Sequence, residues 1–99
     1  MNPATIYHRP LSEFAFATDA SHYVFRLRTG KGEARSCRFF YADRAAMAPE
    51  LDFACLPMKK IREDRYFDWY EVRLETKLER IAYWFELSDG AETLCYFGD

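Results

Sequence analysis

The chain has 99 residues and a formal net charge of −2, with 49% hydrophobic and 18% aromatic content. That length suits one domain, the aromatics supply enough buriable area for a core, and the lack of a basic run argues against a nucleic-acid partner. No apolar stretch is long enough for a membrane-spanning helix, and the opening MNPATIYHRPLSEF lacks a charged-then-apolar leader pattern, so no membrane partner and a cytoplasmic location are expected.

Period-two alternation runs through almost the whole chain. Short strands are expected at Thr5–His8 and Glu13–Thr18. HYVFRLRT then puts Tyr23, Phe25 and Leu27 on one face and Val24, Arg26 and Arg28 on the other. SCRFFYAD sets Cys37, Phe39 and Tyr41 against Arg38, Phe40 and Ala42. The stretch DRAAMAPELDFA reads as a loop, followed by a strand near Phe53–Ile61. WYEVRL places Tyr70, Val72 and Leu74 opposite Trp69, Glu71 and Arg73. IAYWFEL places Ile81, Tyr83, Phe85 and Leu87 opposite Ala82, Trp84 and Glu86, and a last strand is expected at Thr93–Phe97. The turn signals TDAS, TGKGE, REDR and SDG separate these segments. Regularly spaced strands with such turns define an all-β fold, an antiparallel β-sandwich with Phe25, Leu27, Phe39, Tyr41, Tyr70, Val72, Tyr83 and Phe85 inside.

The ETKLER connection is short enough for a hairpin, so the strands carrying Trp69 and Trp84 are expected to pair directly. Alternation then gathers Phe67, Trp69, Trp84 and Glu86 on one outer face, with the two indoles as cross-strand neighbours. Such a patch points to binding. Flat rings suit the apolar C–H face of a pyranose, and tryptophan equally suits a protein interface; the residues leave both open.

The other candidates carry less chemistry. Arg26, Arg28 and Arg38 read as a solvated strand face, with a partner-binding surface as the sharper alternative. Asp64 and Asp68 flank RYF but nothing sets them across a substrate bond, so no catalytic residue is assigned. His8 and His22 lack metal-ligand spacing, so no metal or other cofactor is expected. TGKGE lacks the spacing of a phosphate loop. The 3 cysteines, Cys37, Cys55 and Cys95, are widely spaced and read as reduced core thiols.

The run IYHRP, FAFATD, YVFRLRTGKGE, RFFYAD, MKK, YFDWYEVRL and RIAYWFEL resembles, in order, the N-terminal starch-binding module (carbohydrate-binding module family 34) of neopullulanases, cyclomaltodextrinases and maltogenic amylases. The resemblance covers nearly the whole chain. Its more specific pieces are His8–Arg9, the LRLRT-like strand, the Phe67–Asp68–aromatic–aromatic run and Tyr83, Phe85 and Leu87. Where the family has Tyr-Gly-Asp, this chain has Tyr41-Ala42-Asp43, and alanine takes positive φ less readily than glycine. The resemblance implies an immunoglobulin-like sandwich, one N-terminal module over residues 1–99 excised from a longer glycoside hydrolase, and α-glucan ligands. It implies as partners the catalytic barrel of the same chain and that of a second subunit. A barrel takes about 250 further residues, so this chain is expected to hydrolyse nothing, and the retaining carboxylate pair of the parent enzyme is expected elsewhere. The expected sugar-binding or interface residues are Trp69, Trp84, Phe67 and Phe40.

Overall fold

In the chain from His22 to Gly30, every second side chain is apolar or small and β-branched or aromatic residues recur, a pattern that fits a pleated, half-buried strand. A computed structural model describes residues 3–8, 14–43, 54–76 and 81–97. It shows β1 (Ala15–Ala17), β2 (His22–Gly30), β3 (Ser36–Asp43), β4 (Ala54–Pro57), β5 (Lys59–Glu63), β6 (Phe67–Glu75), β7 (Ile81–Ser88) and β8 (Thr93–Tyr96), preceded by a 3-10 turn at Pro3–Thr5. No α-helix occurs among the described residues.

All pairings are antiparallel and form two four-stranded sheets, in the orders β1-β2-β6-β5 and β4-β3-β7-β8. The sheets face each other across one core. Leu27, Phe39, Phe85 and Leu87 are fully buried, and Phe25, Cys37, Tyr70, Val72 and Leu74 nearly so. Phe25 from one sheet stacks on Phe39 from the other at 4.6 Å between ring centroids. Each large apolar side chain so buried contributes about 1.5–3 kcal/mol. Tyr23, Tyr41 and Tyr83 pack against this cluster while keeping some exposure.

The sandwich and its inward residues follow the sequence pattern, but the proposed hairpin does not form. β6 and β7 lie in different sheets, so the connection after Glu75 crosses between the layers. Stacked sheets are about 10 Å apart, a gap that five extended residues span easily. A short connection is therefore as compatible with a crossing as with a hairpin, and alternation is identical in both cases. Trp69 and Trp84 consequently stand on opposite outer surfaces, and the single platform of Phe67, Trp69, Trp84 and Glu86 is corrected to two separate faces.

Other expectations shift in detail. The strand expected near Phe53–Ile61 is split at Met58, with β4 on one sheet and β5 on the other. The strand expected at Thr5–His8 contributes a single bridge, Tyr7 to Arg28. Cys55 and Cys95 are exposed, so only Cys37 is a core thiol. Both sit on strands at the sheet edges, β4 and β8, where no further strand among the described residues covers them. Val24 points outward yet is buried, opposite Phe16 and Arg73 in the ladder. The expected loop DRAAMAPELDFA lies almost wholly outside the described residues, as do Lys77–Arg80 of ETKLER.

Two devices fix the ends of the core. Thr5 Oγ1 donates to Glu33 (2.7 Å) and accepts from the Gly30 amide (3.0 Å), tying the N-terminal turn to the β2–β3 connection. In that connection Gly32 has φ = 71°, a left-handed conformation that glycine adopts without a Cβ clash, and its amide donates to Asp68 Oδ2 at 2.8 Å. Asp68 is fully buried beside Lys60, whose ammonium lies 3.5 Å away.

Candidate functional site

The outer face of the first sheet is built by cross-strand register. Tyr7 pairs with Arg28, Arg28 with Trp69, and Trp69 with Arg62, so aromatic and guanidinium groups alternate across four consecutive chain segments. Cations over ring faces are attracted by the π quadrupole. The Arg28 guanidinium lies 4.9 Å from the Tyr7 ring centroid, 4.1 Å from Phe67 and 5.9 Å from Trp69. Arg62 lies 4.5 Å over Trp69.

Trp69 is half-buried. Phe14 stacks near-parallel to it at 5.6 Å, and its indole N–H donates to Asp64 Oδ2 at 3.3 Å. The indole, Phe14, Ile61, Arg26 and Arg62 line a shallow cleft of about 340 Å3. Its rim is polar and ordered: Arg26 donates to Glu71 at 2.9 Å and Arg73 donates to the same carboxylate at 3.0 Å. Burial disfavours the charge on Glu71, but these two guanidinium hydrogen bonds hold its carboxyl below the ordinary range. Asp64 is held low by the Tyr66 and Phe67 amides and by Trp69. Both carboxylates are therefore charged acceptors at neutral pH. Asp64 is committed to capping this turn and the buried Asp68 to the Gly32 amide, so the two do not form an acid–nucleophile pair. Among the described residues no group of three or more His, Cys, Asp or Glu side chains is placed to hold a metal ion.

The opposite face is different. Phe40 and Trp84 are register partners and stack at 4.1 Å with planes 5° apart; Phe97 stacks on Trp84 at 5.7 Å. Trp84 is thus flanked by a ring on each side and offers an edge, not a free face. Cys55 extends the row beyond Phe40, and Arg38 paired with Glu86 runs alongside. Phe97 is 68% exposed.

The four residues singled out by sequence are therefore divided, Phe67 and Trp69 on one face, Phe40 and Trp84 on the other. Phe14, Arg62 and Tyr7 complete the first face and were not singled out. Phe14 and Tyr7 precede β2 by many residues, and only the fold brings them to Trp69 and Arg28. Arg62 sits across from Trp69 because of the register shift between Lys60 and Arg62, which no local pattern announces.

Between the sheets, His8 is buried at 3% exposure. A carbonyl can only accept, so His8 Nδ1–H donates to the Arg26 carbonyl at 2.7 Å, and Nε2 accepts from the Tyr83 hydroxyl at 2.7 Å. Both nitrogens are used by one neutral tautomer. Burial lowers the imidazole pKa, and burial pushes the Tyr83 phenol up to about 12. The histidine is a structural clasp, which accounts for its place in the motif without any catalytic role.

Two antiparallel sheets in this order, with aromatic groups on both outer surfaces, define an immunoglobulin-like β-sandwich module. The chain belongs to the family described as alpha amylase, N-terminal ig-like domain, which matches residues 1–99. Neopullulanase 2 of Thermoactinomyces vulgaris is 33% identical over 94 residues, covering 95% of this chain and 16% of that protein. Cyclomaltodextrinase of Geobacillus thermopakistaniensis (strain MAS1) is 29% identical over 97 residues, covering 97% and 16%. A solved structure of a cyclomaltodextrinase superposes with a TM-score of 0.83 at 26% identity, covering 97% of this chain and 16% of that one. The chain thus spans about 16% of the length of the relatives it matches.

Proposed function

We propose that this chain is the non-catalytic α-glucan-binding module of a neopullulanase-like hydrolase, and that the cleft at Trp69 takes the sugar. The observation that carries this reading is the indole with polar groups around it. A pyranose can displace the exposed Arg62 guanidinium from the ring face, since among the described residues that group is otherwise held by a 3.5 Å surface pair to Asp64, and such pairs are worth about 0–1 kcal/mol. Arg26, Glu71 and Asp64 then stand at the rim to bond hydroxyls. Family membership and the names of the relatives support α-glucans as the ligand class. Affinity is expected to be weak, roughly millimolar, because one stacking platform must offset the rigid-body cost of association. Catalysis, by a retaining carboxylate pair, belongs to a barrel elsewhere in the parent enzyme, which we place in the cytoplasm.

A second reading has its own observation. The Phe40–Trp84–Phe97 row presents ring edges in a continuous apolar strip, a surface suited to a protein neighbour. We assign it to contact with a catalytic barrel of the same or a partner subunit. Titration of the chain with maltoheptaose, followed by tryptophan fluorescence in the parent sequence and in Trp69→Ala and Trp84→Ala, separates the two faces.

A further inference from the structure

We propose that the Trp69 face selects α-glucans that carry an oxyanion, and that Arg28 is the residue that reads it. The inference rests on the glucan-binding reading above and names the substrate class of that same site.

The first observation is charge. On a chain of net charge −2, Arg26, Arg28, Lys59, Arg62 and Arg73 outnumber Glu71 and Asp64 on the outer surface around Trp69. The second is pairing. Arg26 and Arg73 share the single Glu71 carboxylate, and Arg62 pairs with Asp64. Arg28 has no carboxylate within ion-pair distance among the described residues, and its Nε is buried without a hydrogen-bond partner. Among the described residues its charge complement is the π faces of Tyr7, Phe67 and Trp69.

A guanidinium in this position is pre-ordered by three rings and partly desolvated, yet lacks its counter-ion. Arginine is the side chain best matched to a planar or tetrahedral oxyanion, which it binds through parallel N–H donors. Arg28 is adjacent to Trp69 in the ladder, and its guanidinium lies 5.9 Å from the indole centroid, beside the cleft lined by Phe14, Arg26, Ile61, Arg62 and Trp69, so a charged substituent on a sugar stacked there has this group as a neighbour. A phosphate monoester or a uronate carboxylate on the glucan meets that requirement; a neutral glucan leaves the guanidinium as it is.

The test compares maltoheptaose, the same oligosaccharide carrying a 6-phosphate, and one carrying a C6 carboxylate, by fluorescence and calorimetric titration at low and high salt. A charge-assisted contact of this kind corresponds to roughly tenfold tighter binding. We expect that advantage for both charged sugars at about 50 mM salt, its loss near 1 M salt where the Debye length is about 3 Å, and its loss in Arg28→Gln with maltoheptaose binding retained. Arg28→Lys, which keeps the charge without the fork, should retain only part of it. A preference for one charged sugar alone assigns the source. Equal binding of neutral and charged sugars at low salt overturns the inference and leaves the glucan reading standing. Absence of binding to every sugar overturns both. A charged-sugar advantage that survives in a folded Arg28→Gln, inorganic phosphate binding as tightly as the phosphorylated sugar, or polyglutamate doing so, also overturns it. If Arg28→Gln fails to fold, the salt dependence of the unmodified chain decides.

Discussion

The His8 imidazole and the Tyr83 hydroxyl are joined at 2.7 Å, and the same ring donates to the Arg26 carbonyl on β2. One buried side chain thereby links the two sheets through polar contacts. The neutral form fits this geometry. Burial lowers the folded pKa below its ordinary 6.5. Between the folded and unfolded values the unfolded chain binds more protons, so stability rises with pH there. The contribution of His8 is fully present above about pH 6.5 and is lost as pH falls through the lowered folded value. Urea unfolding at pH 5 and pH 7.5 should show this slope. His8→Gln should lose about 1–3 kcal/mol at pH 7.5, from unsatisfied buried groups, and flatten the slope. His22 acts in the opposite sense. Its hydrogen bond to Asp19 raises its pKa at an exposed site, so that pair's contribution is present below pH 6.5 and lost as pH rises through the raised value.

Leu27 is fully buried at the centre of the first sheet. Leu27→Ala should destabilise by about 2–5 kcal/mol, the transfer loss plus the cavity left behind. Cys55→Ser and Cys95→Ser, both at exposed positions, should stay within about 0.5 kcal/mol. Midpoints of urea denaturation at constant slope measure all three.

Thiol reactivity checks the corrected cysteine assignment. Cys37 is buried, and burial together with the nearby Asp68 carboxylate pushes its thiol up to about 12. The thiolate is the reactive species. A disulfide reagent should therefore label Cys55 and Cys95 in the folded chain and Cys37 only on unfolding. Rapid labelling of Cys37 under native conditions would contradict the core packing.

Why the face residues were legible in part follows from what alternation encodes. It separates in from out along each strand, so Phe25, Leu27, Phe39, Tyr70, Val72 and Phe85 are buried as the pattern requires, while Trp69 and Trp84 point away from the core. It does not encode which strand lies next to which. β6 reads the same whether β7 or β2 is its neighbour, and the true neighbour, β2, brings Arg28 rather than Trp84 beside Trp69. The stack of Phe14 on Trp69 and the Tyr7–Arg28 bridge depend on long-range pairing, so no local signal marks them. Val24 shows the same limit. Its outward position is right, yet the ladder seats it between Phe16 and Arg73, and it is buried.

The strip on the second face gives a separate prediction. Phe40 and Trp84 stack at 4.1 Å, a contact worth about 0.5–1.5 kcal/mol beyond area burial. A double-mutant cycle with Phe40→Ala and Trp84→Ala should return a coupling of that size in the isolated chain. Coupling near zero would mean that the rings do not hold this stacked geometry in solution.

The claim that the Trp69 cleft binds α-glucan is tested most directly by titrating the chain with maltoheptaose while following tryptophan fluorescence. The account predicts a saturable change in the unmodified chain that persists in Trp84→Ala, because that indole is flanked by Phe40 and Phe97 and offers no open face. It predicts that the change disappears in Trp69→Ala while the far-ultraviolet circular dichroism of that variant stays that of a folded sheet protein. Retention of glucan binding in Trp69→Ala, or its loss in Trp84→Ala alone, would contradict the assignment.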